Sequence, residues 1–335
     1  MGDFLTTPNK TKDSFDGENN YVRFGASAMQ GWRYRMEDAH LHSLNNSNLD
    51  IFGVFDGHGG KEVSQFVKNH FIEEFMNNQN TKYDNIPNSL IETFLKMDEL
   101  LRSPKGKEEL SQLNKLSKLE DDEQDKKDKK GDKNLYKCLD PKNAEDCDIA
   151  NITGCTACVS VINEKNKKIY FANAGDSRVV YCKNGKAEEG STDHKPELES
   201  EKNRIYKADG WISDGRVKGN LNLTRGFGDL EYKQNKSLKP EEQIITANPD
   251  IKIIDFTEDI DFIIIGCDGI WDCLTNQEAC DFVSKRLKDT PDIKISKIVE
   301  EMLDSIVAKD LYNETGVGCD NMTCIVIVFK KEKSA

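Results

Sequence analysis

The most informative residues are Asp56 and His58, which lie in the run Asp56–Gly60 (DGHGG) directly after the apolar stretch Ile51–Phe55. An apolar stretch with β-branched and aromatic residues predicts a buried strand. This strand would deliver a carboxylate and an imidazole onto a turn where glycine leaves room for a ligand to approach the backbone. A carboxylate beside an imidazole on such a turn indicates a metal ligand and a proton donor.

Acidic residues recur at four further places, mostly where an apolar stretch begins or ends: Asp268 and Asp272 after 262–267, Asp176 after 168–174, Asp320 before 322–329, and the pair Glu37–Asp38. A single aspartate at a strand end more often belongs to an ordinary turn. Five such places are harder to explain in this way, because clustered carboxylates repel each other unless a cation neutralises them. Hard oxygen ligands favour Mg²⁺ or Mn²⁺, and two metal ions sharing one water are a plausible arrangement.

Nine segments carry a resemblance to a known family: GWRYRMEDAH (31–40), FGVFDGHGG (52–60), GCTACV (154–159), ANAGDSRVV (172–180), DHKP (193–196), RVKGNLNLTRGFGD (216–229), NPD (248–250), GCDGIWD (266–272) and CDNMTCIVI (319–327). Each of them is weak by itself. In this order, and over nearly the whole chain, they resemble the metal-dependent protein serine/threonine phosphatases of type 2C.

The resemblance implies an α+β fold: a β-sandwich of two antiparallel sheets flanked by pairs of antiparallel helices, with the metal site at one edge. The irregular order of strand and helix patterns also favours α+β over a doubly wound sheet. We expect a flexible segment over residues 1–20, one catalytic domain over 21–330 and a tail over 331–335. A helix is predicted by apolar residues at the spacing of one helix face: Ile295, Ile298, Val299, Met302, Leu303 and Ile306.

A charged insertion is expected inside the catalytic domain, at about residues 103–148. Its part from 105 to 133 contains nine lysines and nine acidic residues. Such a composition buries too little apolar surface to offset the entropy of ordering, so we expect disorder. Two interpretations of its role stay open, a solvated spacer and a docking or regulatory arm.

The resemblance also implies roles for the metal-binding residues. Asp56 would bridge two Mg²⁺ or Mn²⁺ ions, the Gly57 carbonyl would bind one of them, and Glu37, Asp268 and Asp320 would complete the ligand set. A water shared by the two ions would attack phosphorus directly, without a covalent phospho-enzyme.

Further residues receive roles in the same way. Arg33 would hold the phosphate, and His58 would protonate the departing serine or threonine oxygen. Asp176, with Asp272, is a candidate for a third and weaker ion, whereas Asp38 and Asp229 are interpreted as supporting or turn residues. The polar segment 195–220 would form a mobile flap beside the site.

Composition restricts the setting of this chemistry. The formal net charge of −13 over 335 residues argues against a nucleic-acid-binding protein. Neither an apolar run of membrane-spanning length nor a secretory signal is found, so a cytoplasmic or nuclear monomer acting on phosphorylated proteins is expected. The N-terminal Met-Gly-x-x-x-Thr pattern leaves myristoylation of Gly2, and hence weak membrane contact, open.

Three alternatives compete with this interpretation, one for the metal and two for the function. Cys155 and Cys158 have a spacing found in zinc sites, and Cys138 and Cys147 lie upstream, but alternation along a strand would point the first two to opposite faces. For function, the alternatives are a catalytically weak relative acting as a binding scaffold and a metal-dependent hydrolase of small phosphoesters.

Overall fold

The computed structural model describes residues 4–127, 148–311 and 316–330. Its strands are β1 (Phe4–Glu18), β2 (Val22–Arg33), β3 (Ala39–Asn46), β4 (Leu49–Phe55), β5 (Gly57–His58), β6 (Gly154–Cys155), β7 (Ala157–Asn163), β8 (Lys168–Ala174), β9 (Arg178–Lys183), β10 (Lys186–Glu189), β11 (Ile212–Ser213), β12 (Arg216–Val217), β13 (Phe227–Gly228), β14 (Asp250–Asp255), β15 (Ile260–Gly266) and β16 (Met322–Phe329).

Its helices are α1 (Glu62–Asn77), α2 (Gln79–Lys82), α3 (Ile86–Arg102), α4 (Pro104–Lys127), α5 (Ile149–Ile152), α6 (Glu199–Lys207), α7 (Asp268–Trp271), α8 (Asn276–Asp289) and α9 (Ile295–Ile306). Two short 3₁₀ helices lie at Leu230–Tyr232 and Pro240–Glu242.

Two antiparallel sheets form the body of the fold. One has the strand order β1-β2-β16-β15-β9-β10 and the other β14-β8-β7-β4-β3. Every residue of β4 and of β16 is buried, because side chains on both faces of these central strands are covered. One core lies between the two sheets and continues between the six-stranded sheet and helices α8 and α9. A second core lies between the five-stranded sheet and helices α1 and α3. The predicted α+β sandwich with helices on both outer faces is therefore confirmed.

The C-terminal helix α9 also matches its prediction. Of the six residues that the periodicity selected, Ile306 is partly buried and the other five are buried: Ile295, Ile298, Val299, Met302 and Leu303. They cover β2 of the larger sheet, where the Cβ that Gly25 lacks would lie 2.0 Å from the Ser296 amide. The glycine thus lets the helix and the strand pack closely.

The N-terminal segment differs from its prediction. Residues 4–18 form β1, which pairs with β2 from Phe4 to Glu18 in place of the expected flexible segment. Its polar sequence lacks a strong strand pattern, but the edge of β2 supplies backbone partners and α9 supplies side-chain partners. The Ser296 amide donates to Asp16 Oδ1 at 2.9 Å, and Ser14 Oγ donates to Glu300 Oε1 at 2.8 Å.

The charged insertion is also partly ordered, contrary to the expectation. Its first part forms α4, in which Leu110 is 1 % exposed and joins the core beneath α1 and α3. His70 Nε2 lies 2.8 Å from Glu109 Oε2, and Lys61 of the α1 N-cap pairs with Glu120. A few leucines on one face are enough to dock a helix whose charged residues stay in solvent. Residues 128–147 lie outside the described part of the chain.

The predicted flap contains regular structure. It holds α6 and the hairpin β11–β12, which share a small core that includes Ile205, Val217 and Ile245. A polar sequence suggested an open loop, but a few well-placed apolar residues suffice for a local core. Whether the segment moves stays a prediction.

The cysteines of the CxxC pattern do not share a site. Cys155 packs into the core beneath α1 and α3, whereas Cys158 packs into the core between the sheets. This confirms that the two point in different directions, and Cys138 and Cys147 lie outside the described residues. None of the helices described in the structure is long and apolar enough to cross a membrane.

Candidate active site

The ends of four strands bring the predicted acidic residues together. Asp268 follows β15 and Asp320 precedes β16, and these strands pair antiparallel, so both residues lie at the same end of the larger sheet. In the other sheet β4 and β8 flank β7, which places Asp56 and Asp176 at one common end. These two ends lie close to each other: the charges of Asp268, Asp320 and Asp176 all raise the pKa of Asp56.

The Asp56 carboxylate lies within a tight group of side chains. An oxygen of Asp56, an oxygen of Asp38 and the Cys267 sulfur all lie within 4.8 Å of one another. The Asp56 amide donates a hydrogen bond to Thr156 Oγ1 at 3.1 Å, which fixes the turn. Loss of hydration raises the pKa of Asp56 well above its usual value, and the charge of Asp268 raises it further. A carboxylate in this position favours binding either a proton or a cation.

Glu37 and Asp38 lie in the loop between β2 and β3. The Glu37 amide donates to Asn321 Oδ1 at 2.9 Å, and the Glu37 carbonyl accepts a bond from Ser64 Oγ at 2.6 Å. Asp38 accepts a bond from Thr323 Oγ1 at 2.7 Å. Burial raises the pKa of Glu37 to about 7 and that of Asp38 to about 6. Asp38 therefore belongs to the same acidic group as Asp56, whose pKa its charge raises. The Glu37 carboxylate lies at the edge of this group, where the charges of His58 and Glu62 act on it.

Gly57 is required by the close approach of two loops. A Cβ at this position would lie 2.3 Å from the Glu37 carbonyl oxygen, a distance that real side chains do not tolerate. Gly57 pairs with Cys155 of β6, so its backbone is also fixed from the other side. The glycine thereby holds the DGHGG turn against the loop that carries Glu37.

His58 lies beside a buried carboxylate. Its Nε2 is 2.8 Å from Asp229 Oδ2, and Asp229 is 2 % exposed. Burial by itself lowers the pKa of His58, but the charge of Asp229 and its hydrogen bond outweigh that effect, so the pKa is raised. A Cβ on Gly154 would lie 2.3 Å from Asp229 Oδ2 and 2.7 Å from His58 Nε2, so that glycine makes room for the pair. The arrangement therefore favours the protonated form of His58.

Arg33, the last residue of β2, contacts the acidic group from the side. Its Nη2 forms an ion pair with Asp320, and its side chain remains 41 % exposed. The Nε atom is buried and has no hydrogen-bond partner among the described residues. The guanidinium thus keeps a donor beyond its contact with Asp320, and the charges of Asp268 and Asp56 also act on it.

Lys195 contacts Asp176 by an ion pair. Asp176 is 3 % exposed, and the Lys195 ammonium also acts on Asp268 and Asp272. The chain therefore supplies its own cation at the position that the sequence assigned to a third metal ion. Metal binding by Asp176 stays a prediction, and Lys195 would compete with the ion for that carboxylate.

The donor set fits a hard divalent cation. Burial raises the pKa of the Cys267 thiol well above its usual value. Its sulfur accepts a hydrogen bond from the Thr323 amide at 3.1 Å and donates one to the Asn321 carbonyl at 3.5 Å. Because the thiol stays neutral and engaged, the remaining donors are carboxylates, which suit Mg²⁺ or Mn²⁺ better than zinc.

Sequence reasoning missed three supporting residues: Lys195, Asn321 and Thr156. Asn321 bonds the Glu37 amide and also donates to the Gln30 and Arg35 carbonyls at 2.8 and 2.9 Å. All three residues lie inside the nine conspicuous segments. Lysine, asparagine and threonine are ordinary residues in loops and strands, so their identities did not predict a role. Each contacts a residue that is distant in the sequence.

Comparisons with known proteins agree with this geometry. The sequence model of the family described as protein phosphatase 2C matches residues 22–114 and 105–314. The chain is 44 % identical over 334 residues to probable protein phosphatase 2C 4 of Paramecium tetraurelia, covering 98 % of this chain and 99 % of that protein. It is 44 % identical over 339 residues to probable protein phosphatase 2C 21 of Arabidopsis thaliana, covering 99 % and 93 %.

A solved structure supports the fold. The crystal structure of a phosphatase from Toxoplasma gondii superimposes with a TM-score of 0.68 at 20 % identity, covering 97 % of this chain and 98 % of that one. At this identity the likeness concerns the fold alone. The family match and the full-length relatives carry the assignment: this chain belongs to the protein phosphatase 2C family and is a metal-dependent protein serine/threonine phosphatase.

Proposed function

We propose that this enzyme hydrolyses phosphoserine and phosphothreonine in proteins by direct attack of water, with two Mg²⁺ or Mn²⁺ ions bound at the acidic group. One observation carries the proposal: the carboxylates around Asp56 are buried and mutually repelling, and they lie near His58, whose pKa is raised, and near the partly exposed Arg33. Such a combination suits the recognition and cleavage of a phosphate ester.

The metal ligands of the proposal are Asp56, Asp268, Asp320, Glu37 and the Gly57 carbonyl, with Asp176 as the candidate for a third, weaker ion. The raised pKa of Asp56 supports this set, because a nearby cation would relieve the repulsion that raises it. When bound, two divalent cations lower the pKa of water enough to supply hydroxide near neutral pH.

Arg33 holds the phosphate in this proposal. A guanidinium presents paired donors that match phosphate oxygens. The side chain is partly exposed while its neighbour Asp320 is anchored in the acidic group, so Arg33 can contact a substrate from the solvent side. Its charge also offsets the repulsion between the phosphate and the carboxylates.

His58 protonates the departing serine or threonine oxygen. A protonated imidazole has two N–H groups. The Nε2–H group is directed at Asp229, which leaves the Nδ1–H group to donate to the substrate. The raised pKa of His58 supports this role, since a general acid must carry its proton at the working pH.

The direct test is turnover of a phosphothreonine peptide with Mg²⁺, with Mn²⁺ and after exhaustive chelation, alongside a small phosphate ester. We expect peptide turnover with either ion and none after chelation. The control variant is Asp255→Asn, which removes a carboxylate that is 68 % exposed at the end of β14 and paired with Lys168, and it should match the wild type.

Full turnover in metal-free buffer would contradict the proposal. Hydrolysis of the small ester without hydrolysis of the peptide would favour the small-phosphoester alternative, and no hydrolysis of either would favour the scaffold. We further propose that the enzyme is a monomer and that it works in the cytoplasm or nucleus. The free cysteines of the described residues support the compartment, because thiols persist in reducing surroundings.

A further inference from the structure

The N-terminal strand reaches the residue that holds the phosphate. Phe4 is the first residue of β1, and in the strand register it lies opposite Arg33, the last residue of β2. The Arg33 guanidinium carbon is 5.9 Å from the centroid of the Phe4 ring. Phe4 is 38 % exposed, so its ring lies at the surface beside the site. A guanidinium is attracted to the face of an aromatic ring at this distance.

A second contact joins β1 to the same residue through its backbone. Asn9 Nδ2 donates to Gln30 Oε1 at 3.0 Å. Gln30 Nε2 in turn donates to the carbonyls of Arg33 and Tyr34, each at 2.9 Å. The Gln30 side chain thus connects the N-terminal strand to two consecutive backbone carbonyls, those of Arg33 and Tyr34.

Both contacts rest on an anchored strand. Leu5, next to Phe4, is 6 % exposed. Farther along β1, Asp16 accepts bonds from the amide and the hydroxyl of Ser296 at 2.9 and 2.5 Å. The strand register is irregular between Phe4 and Asn9, so the first residues are placed by the pairing of Phe4 with Arg33 and by the burial of Leu5. The position of Phe4 is therefore set by the fold.

We propose that β1 is part of the phosphate-binding apparatus, with Phe4 and Asn9 as positioning residues for Arg33. The arginine side chain is long and partly exposed, and a side chain of this kind loses rotamer entropy when it grips a phosphate. The Phe4 ring limits that freedom in advance, and the Asn9–Gln30 contact fixes the backbone from which the side chain projects. The inference rests on the proposed role of Arg33.

The experiment compares Phe4→Leu, which keeps apolar volume but removes the aromatic face, with Phe4→Tyr, which restores it. Inorganic phosphate binding by calorimetry on the metal-loaded enzyme is one readout, and KM and kcat for a phosphothreonine peptide are the other. We expect Phe4→Leu to weaken phosphate binding and raise KM about two- to five-fold, the range of an exposed cation–π contact, with kcat nearly unchanged. Asn9→Ala should act in the same direction, and Phe4→Tyr should match the wild type.

The matched control is Phe15→Leu, which changes the other exposed phenylalanine of β1, at 44 % exposure and opposite Ala26. Phe15→Leu should leave phosphate binding unchanged. Its shift in thermal midpoint should equal or exceed that of Phe4→Leu, so a loss of stability alone would not explain weaker binding in Phe4→Leu. If both variants weaken phosphate binding equally, the effect belongs to the strand as a whole and the positioning role is wrong.

A double-mutant cycle separates this inference from the function on which it rests. In an Arg33→Ala background, Phe4→Leu should cause no further loss of phosphate affinity. If Arg33→Ala itself leaves phosphate binding and KM unchanged, the proposed role of Arg33 fails. If Arg33→Ala weakens binding while Phe4→Leu and Asn9→Ala behave as wild type, Arg33 keeps its role and the positioning inference is overturned.

Discussion

Two groups of buried acidic residues in this molecule behave in opposite ways. The first surrounds Glu201 in α6, whose side chain is 1 % exposed and pairs with Arg204 and Arg225, each at 2.6 Å. Thr224 Oγ1 donates a third hydrogen bond at 2.6 Å. Burial would raise the pKa of Glu201, but the two arginines outweigh it and lower the pKa to about 2. This group is neutralised by the chain itself.

The second group surrounds Asp56, and the pKa values of its carboxyl groups are raised above their usual values. Burial raises the pKa of Glu37 to about 7 and that of Asp38 to about 6. Among the cations that the chain supplies nearby, Arg33 and Lys195 contact Asp320 and Asp176 at the sides of the group, and the charge of Arg35 acts on Glu37 without outweighing its burial. Buried acids alone therefore do not distinguish a functional site. The distinguishing feature is buried negative charge that exceeds the cations the chain brings to it.

The largest effect is expected for Asp56→Asn, which removes the central charge of the unneutralised group. Turnover of a phosphothreonine peptide should fall to the detection limit, because the proposed ions lose their shared ligand. The thermal midpoint in EDTA should stay level or rise, since one repelling charge is gone. A variant that kept most of its turnover would place the bridging role at another residue.

The next effect concerns His58, whose pKa is raised by Asp229. His58→Ala should lower kcat for a phosphothreonine peptide by about 10²–10⁴-fold, the usual contribution of a general acid. The loss should be small for p-nitrophenyl phosphate, because its leaving group departs without a proton. Equal losses on both substrates would show that His58 positions the site instead of donating a proton.

Glu201→Gln tests the neutralised group. It should lower the free energy of unfolding by about 3–5 kcal/mol, because two partly buried arginines lose the buried carboxylate that they share. The kcat of the folded enzyme should change little, in contrast to Asp56→Asn. The control is Glu199→Gln in the same helix, whose side chain is 77 % exposed and which should be nearly neutral. A large loss of turnover with intact stability would mean that Glu201 also serves catalysis.

The smallest effect is a difference in pH dependence, worth a few degrees in thermal midpoint. Glu37 and Asp38 have raised pKa values, so in EDTA their contribution to stability is full below about pH 4 and is lost as the pH rises through 6 to 7. Glu201 has a lowered pKa, so its contribution is full above about pH 4.3 and is lost as the pH falls through about 2.

Thermal melts from pH 3 to pH 8, with Mg²⁺ and with EDTA, separate these two contributions. Mg²⁺ should remove the loss of stability between pH 4 and pH 7, because a bound cation holds the carboxylates in their charged form. Mg²⁺ should leave the loss of stability below about pH 4.3, which comes from protonation of Glu201, unchanged. Identical curves with and without Mg²⁺ would argue that the Asp56 group does not bind the ion.

The sequence was sufficient for much of the framework. The apolar stretches predicted the central strands, and the periodicity of Ile295–Ile306 predicted α9, because burial of a strand or of a helix face leaves a local pattern. The irregular order of strand and helix patterns favoured an α+β fold, and the family resemblance carried by the nine segments implied the sandwich. The sequence did not predict β1 or α4, whose own sequences are polar and charged and whose order comes from the surfaces on which they pack.

For the site, the sequence by itself determined which donors exist: carboxylates, one imidazole and one guanidinium in fixed segments. Only the tertiary structure decided which of them the chain neutralises. Arg33 meets Asp320 across 287 positions, and His58 meets Asp229 across 171. Charge compensation depends on how close two charged groups lie in space, because their interaction weakens as the separation grows. The spacing of residues along the sequence does not record that distance. A buried carboxylate is therefore a salt-bridge partner at Glu201 in α6, whereas at Asp56 after β4 the chain leaves it among other acidic side chains.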